Sequence, residues 1–130
     1  MNVLLWVLQV LLAMAFFAHG WLLLAPPAEM LQQMATVMPD WFRLFLGVAE
    51  VLAAIGLTLP GITRIQPGLI SWAAAGLMIV MVGATVLHST RGETSSAITT
   101  ALLFVLLTCV AYLRWKVRPI APRVDRRVRS

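Results

Sequence analysis

The sequence predicts an all-α integral membrane protein, a four-helix bundle with a short amphipathic helix in the first outer loop. Three observations predict this class. Hydrophobic residues make up 61% of the 130 and charged residues only 12%, whereas soluble domains are about half apolar and about a quarter charged. Four apolar stretches are each long enough to cross a bilayer, for which a helix needs about 20 residues. Proline, glycine and charged residues cluster between these stretches, as they do where helices end.

The four predicted spans share an almost uninterrupted apolar composition and cover approximately residues 2–25, 41–59, 67–88 and 96–115. Prolines lie between the spans, because proline fits the first turn of a helix and destabilises the helix interior. We therefore expect Pro60-Gly61 to end the second span and Pro67 to open the third. The chain then divides into a membrane bundle of residues 1–116 and a basic tail of residues 117–130.

The first outer loop, residues 26–40, carries a helical pattern of its own. Its apolar residues recur at i, i+1, i+4, i+7 and i+8, and they are Met30, Leu31, Met34, Val37 and Met38. One apolar face at this period indicates a short amphipathic helix in the outer interface. A lid that completes the bundle is favoured over a moving gate.

The charge distribution predicts the topology. Seven of the ten basic residues lie from Arg114 onward, and cytoplasmic loops are those that carry excess Lys and Arg. The tail and the N-terminus are therefore expected to be cytoplasmic, in a bacterial-type cytoplasmic (inner) membrane. A basic segment directly after a span indicates topology or anionic headgroups rather than nucleic acid. The single cysteine, Cys109, excludes an intramolecular disulfide.

Glu50 lies near the middle of the second span, where a carboxylate costs several kcal/mol unless it is protonated, paired or facing a polar cavity. Arg43, Gly47, Glu50 and Ala54 are spaced i, i+4, i+7 and i+11, so they follow one side of the helix. Glu50 should therefore face the bundle and meet Arg43, His19 or a bound polar group. The structural alternative is a Glu50 that only hydrogen-bonds to Thr85 or Thr99.

The polar residues of the spans concentrate in the outer half and predict a ligand pocket there. Its expected members are Arg43, Gly47, Glu50, His19, Gly83, His88, Trp21 and Trp41. Glu50 and His19 are the candidates for handling protons, while no firm catalytic residue emerges. A haem between His19 and His88 is disfavoured because their depths differ by about two turns. No grouping predicts a metal site.

Two stretches resemble the DoxX and DoxX-like family of small four-span membrane proteins. Residues 46–61 carry that family's second-helix pattern through Gly47, Glu50, Gly56, Leu57 and Pro60, and residues 73–88 its third-helix pattern through Met81, Gly83, Ala84 and His88. The first helix matches loosely through Phe17 and Gly20, without the lysine that many members carry shortly afterwards. The resemblance implies a four-helix bundle and an association with quinone-linked oxidation, often beside peripheral redox enzymes.

The leading functional hypothesis is therefore a membrane subunit or anchor of a quinone-linked redox assembly, not a stand-alone enzyme. Its expected partners are the lipid bilayer, other redox subunits and a second copy of the chain. Two alternatives stay open. One is a scaffold without chemistry of its own, and the other is a small proton-coupled transporter, which would also need an acid in the membrane.

Overall fold

A computed structural model describes residues 2–123 of the chain. Its elements are α1 (Asn2–Leu24), α2 (Ala28–Ala35), α3 (Asp40–Thr63), α4 (Leu69–Thr90) and α5 (Thr94–Tyr112), which a single π-helical turn (Leu113–Val117) extends. No strand occurs within these residues, and four helices are long and apolar enough to cross a membrane. The all-α prediction with four spans and a short loop helix is confirmed. Of the predicted basic tail, residues 124–130 lie outside the described part.

The prediction that Pro60 ends the second span is wrong, since α3 continues through Pro60 to Thr63. A proline inside a helix removes one N–H donor and its ring disturbs the preceding turn. In that turn the Leu57 carbonyl accepts a hydrogen bond from the Gln9 side-chain amide on α1, at 2.7 Å. The carbonyl that Pro60 itself deprives of a donor is that of Gly56, four residues earlier, so the Gln9 bond supports the turn without replacing the lost bond. The helix ends instead at Arg64, which adopts a left-handed conformation with φ of 58°.

The bundle consists of two closely packed helix pairs. Helix α1 packs mainly on α3 and α4 mainly on α5, and the pairs meet chiefly between α3 and α4. We call the end with Asn2, Thr63, Leu69 and Val117 the termini end, and the opposite end the α2 end. The core side chains are Leu12, Ala13, Phe16, Ala54, Leu57, Ile70, Ala74, Leu77, Met81, Leu107 and Val110.

Burial is concentrated in the half of the bundle near the termini end. On α5 the buried residues are Leu107 and Val110, which lie in its last two turns, and on α4 burial stops at Met81. Helices α1 and α5 have few contacts with each other. The two pairs are therefore least tightly packed toward the α2 end, and that is the end where Glu50 and His19 lie.

All five tryptophans lie near helix ends. Trp6, Trp72 and Trp115 are at the termini end, and Trp21 and Trp41 are at the α2 end. Four of them are largely exposed, and Trp6 is half-buried. Because tryptophan favours the two boundaries between hydrocarbon and headgroups, this distribution fits a bundle that spans a bilayer from one belt to the other.

Candidate functional site

The buried carboxylate of Glu50 is paired with a histidine. The Nδ1 atom of His19 on α1 lies 2.5 Å from Oε2 of Glu50 on α3. Glu50 is only 1% exposed, whereas the His19 side chain is 59% exposed. Of the partners that the sequence left open, the structure selects His19. Such a pair can relay a proton between a buried oxygen and the outer surface of the imidazole ring.

Two glycines bring these side chains together. A Cβ atom on Gly20 would lie 3.0 Å from the Gly47 carbonyl oxygen, and one on Gly47 would lie 3.1 Å from the Gly20 carbonyl oxygen. The backbones of α1 and α3 therefore touch at this level, as small residues allow in membrane helices. His19 precedes Gly20, and Glu50 lies one turn beyond Gly47. The close approach thus fixes the register in which the imidazole reaches the carboxylate.

His19 owes its exposure to the loose packing at the α2 end. It follows Leu12 and Phe16 and precedes Leu23 at spacings of seven, three and four residues, so all four share one face of α1. The three apolar members are nearly fully buried. His19 lies on this same core-facing side of α1, but neighbouring helices do not cover it. Its imidazole is therefore the accessible part of the pair.

Arg43 is not the partner of Glu50. Its Nη1 donates to the Leu23 carbonyl oxygen, and its Nη2 lies 3.6 Å from an Asp40 carboxylate oxygen. The buried Nε has no hydrogen-bond partner within residues 2–123. The guanidinium therefore ties the start of α3 to the end of α1, about two turns from Glu50.

The structural alternative also fails in its details. The Thr85 hydroxyl lies 2.8 Å from the Thr100 hydroxyl and donates to the Met81 carbonyl. Thr99 donates to the Ser95 carbonyl of its own helix at 2.9 Å. Neither threonine therefore forms the hydrogen bond to Glu50 that the purely structural hypothesis predicted.

The structure separates the remaining predicted pocket residues from the pair. Trp21 and Trp41 point outward. Gly83 is exposed on α4, and no atom of another helix within residues 2–123 lies within 4 Å of the position its Cβ would take. His88 contacts Glu93 instead of Glu50. These residues lie toward the α2 end, but on faces of their helices other than the one that carries Glu50.

His88 belongs to a second polar cluster on the connection between α4 and α5. Its Nδ1 lies 2.6 Å from Glu93 Oε2, and Arg91 Nε lies 3.3 Å from Glu93 Oε1. Arg91 also lines an open cavity of about 550 Å³ whose other walls are the polar side of α2: Glu29, Gln32, Gln33 and Thr36. The polar face of α2 therefore lies across this cavity from the connection between α4 and α5.

The Glu93 contact is expected to be lost in acid. The hydrogen bond from His88, with attraction from Arg91, holds the pKa of Glu93 below its usual value of 4.5. Because the pKa is lower in the folded chain, the stabilisation is complete above about pH 4.5 and disappears as the pH falls through the folded value. Amide exchange around residues 88–94 should be faster in Glu93→Gln than in the wild type at pH 6, and the difference should shrink as the pH is lowered below 4.5. Glu29→Gln, which removes another acid at this end, should match the wild type throughout; a Glu93→Gln difference that does not shrink in acid would contradict the assignment.

A third polar cluster lies at the termini end, and the sequence analysis did not identify it. Arg114 is 5% exposed. Its Nε donates to Gln9 Oε1 at 2.5 Å and its Nη1 donates to Asn2 Oδ1 at 2.7 Å. Its guanidinium carbon lies 5.3 Å from the centre of the Trp6 ring. The available signal was Gln9, a lone amide in the middle of the first apolar stretch.

Most apolar side chains of the four long helices face outward, so the fold requires a hydrocarbon environment around it. The chain is accordingly a multi-pass membrane protein in which a buried carboxylate is paired with an exposed imidazole toward one end. The family model of the DoxX-like family matches residues 7–111, and the chain belongs to that family. No curated protein and no solved structure matches it.

Proposed function

We propose that this DoxX-like protein is a membrane subunit of a quinone-linked redox assembly, and that Glu50 and His19 form its proton-handling site. The pair itself carries the proposal: a buried carboxylate 2.5 Å from an accessible imidazole. Intramembrane ionisable groups are costly and are kept mainly where they act. Family membership supports the link to quinones, while electrons would come from a partner subunit or a second bound ligand.

The chemistry requires few groups from this chain. Reduction or oxidation of a quinone moves protons on or off its ring oxygens, so a donor or acceptor must stand within hydrogen-bond distance. His19 offers its exposed edge to such an oxygen, and Glu50 holds the ring by its Nδ1 atom and stabilises the charged imidazolium. The apolar side chains around the loosely packed α2 end would hold the hydrophobic part of the ligand.

We place the proton exchange on one side of the membrane. An apolar layer that includes Leu12, Phe16, Leu57, Leu77 and Leu107 lies between Glu50 and the Arg114 cluster. A proton crossing this layer would need polar groups that these side chains do not offer. We further place the α2 end on the outer side, because the basic residues concentrate at the other end. Proton-coupled transport by this chain stays a prediction, and the apolar layer does not favour it.

Replacing Glu50 with glutamine tests this proposal. The change keeps the shape and one hydrogen bond to His19 but removes the charge that the imidazolium needs. Binding of the probe decylubiquinone to the full chain in detergent, followed by quenching of tryptophan fluorescence, should weaken about tenfold or more, as expected for a lost charged hydrogen bond. The melting temperature should change little. Glu93→Gln, an acid of the second cluster, should bind the probe like the wild type.

The scaffold is the second candidate, and one observation favours it: the pair joins α1 and α3 directly. On that hypothesis Glu50 holds the bundle together and contributes nothing to a ligand. Glu50→Gln would then lower the melting temperature of the protein and leave decylubiquinone binding, if any, as it is in the wild type. The two measurements on one variant therefore separate the hypotheses.

A further inference from the structure

Within the described residues, the acidic side chains lie toward one end of the bundle and most of the basic side chains toward the other. Every acidic residue within the described part lies toward the α2 end: Glu29, Asp40, Glu50 and Glu93. The termini end instead presents four exposed cations, Arg64, Lys116, Arg118 and Arg123, which we call the basic face. Within residues 2–123, none of the four forms an ion pair.

Hydrogen bonds hold this face in place. Arg64 Nε donates to the Ala121 carbonyl at 2.8 Å, and the Arg123 amide donates to the Arg64 carbonyl at 2.7 Å. The Arg118 carbonyl accepts from the buried Arg114 at 3.1 Å. The segment after α5 is thus fastened across the connection between α3 and α4, and its cations are displayed from a defined backbone.

Apolar anchors fix the depth of the basic face. Ile120 packs on the core, close to Gly61, and the Lys116 ammonium lies 4.8 Å from the centre of the Trp115 ring. Trp72 and Trp115 are exposed at the same end of the bundle, and tryptophans favour the headgroup boundary. Four cations at headgroup depth, without acidic neighbours in the described part, complement anionic phosphates.

We propose that the basic face is a docking surface for anionic phospholipid headgroups. The phosphate of such a lipid would lie among Arg64, Lys116, Arg118 and Arg123, with its acyl chains beside the exposed tryptophans. This inference is independent of the quinone-linked role and of the Glu50 site. It concerns the opposite end of the molecule and a permanent component of the membrane.

The test measures lipid binding with the basic face neutralised. We would combine Lys116→Gln, Arg118→Gln and Arg123→Gln, since the hydrogen bonds that fasten the segment are made by the Arg64 and Arg114 side chains and by backbone atoms. Cations near a membrane surface each contribute on the order of 1 kcal/mol, or about fivefold in affinity. The retention of phosphatidylglycerol by the full chain in native mass spectrometry should therefore fall by one to two orders of magnitude.

The matched control keeps the charges. Lys116→Arg, Arg118→Lys and Arg123→Lys together should retain phosphatidylglycerol like the wild type, and phosphatidylcholine retention should be weak in all three proteins. Nanodiscs provide the second readout: phosphatidylglycerol should raise the melting temperature of the wild type and of the control above that in phosphatidylcholine, but not that of the glutamine variant. Equal retention of phosphatidylglycerol by the wild type and the glutamine variant would overturn the proposal. So would a wild type that melts at the same temperature in both lipids.

Discussion

Replacing Gly47 with valine should destabilise the bundle by about 1–3 kcal/mol, the usual cost of overpacking a well-packed interior. A Cβ atom at this position would lie 2.8 Å from Leu24 Cγ and 3.1 Å from the Gly20 carbonyl oxygen. The carbonyl belongs to the backbone and cannot turn away, so α1 must move off α3. The variant should also lose the contact between His19 and Glu50, because that contact depends on the same register.

Two measurements check this expectation. Unfolding in mixed detergent micelles, followed by circular dichroism, should show the lower stability of Gly47→Val. The ¹⁵N chemical shifts of the His19 imidazole should change from those of the wild type, since the ring loses the Glu50 carboxylate. A purely local clash relieved by the Leu24 side chain would lower the stability and leave the His19 signals in place, which would contradict the proposed movement of the helix.

Gly83→Ala is the matched control. It also enlarges a glycine within a spanning helix, but in the part of the chain that the structure describes no atom of another helix lies within 4 Å of its Cβ position. Alanine favours helices over glycine by up to about 1 kcal/mol, so the control should be neutral or more stable. A loss of stability as large as that of Gly47→Val would show that some constraint other than the α1–α3 contact acts on these glycines.

The sequence predicted the four spans because a membrane-crossing helix needs about 20 mostly apolar residues. A signal of that length stays recognisable when a few polar residues interrupt it. The prediction failed at Pro60, where α3 continues to Thr63, and where the Gln9 side chain, 48 positions away, donates to the Leu57 carbonyl in the turn before the proline. Local patterns carry no information about such a partner. The ends of helices are therefore less predictable than their existence.

The candidate site was predicted in part, for a related reason. The spacing of Arg43, Gly47 and Glu50 placed the carboxylate inside the bundle correctly, because a helical face follows from sequence alone. The choice between Arg43 and His19 required the register of α1 against α3. That register depends on the contact between Gly20 and Gly47, which no single-helix pattern contains. Gly83 and His88 were assigned to the pocket by depth, but depth does not determine which neighbour a side chain meets.

Replacing Arg114 is the second change that we expect to destabilise the protein strongly. A leucine at this position should cost roughly 3 kcal/mol, because it removes charge-assisted hydrogen bonds to Gln9 and Asn2 and leaves the Gln9 carbonyl buried without a donor. Gln9 is fully buried, so water cannot replace the guanidinium there. Arg114→Lys should lose a similar amount, since an ammonium group cannot reproduce the planar geometry that serves Gln9, Asn2 and the Arg118 carbonyl together. Unfolding in mixed micelles measures both variants, with Lys116→Leu, an exposed neighbour, expected to stay within about 0.5 kcal/mol of the wild type.

The double variant Gln9→Leu/Arg114→Leu determines whether the two side chains act as a unit. Gln9→Leu alone removes the donor of the Leu57 carbonyl and an acceptor of Arg114, so it should destabilise the protein as well. When both residues are leucine, neither position carries a buried polar side chain that has lost its partner at the other position. The loss should then be smaller than the sum of the single losses by about 0.5–3 kcal/mol, the range for residues in direct contact. Strictly additive losses would mean that Gln9 supports the Pro60 turn and Arg114 supports the segment after α5 independently, and the termini end would then contain two separate contacts instead of one network.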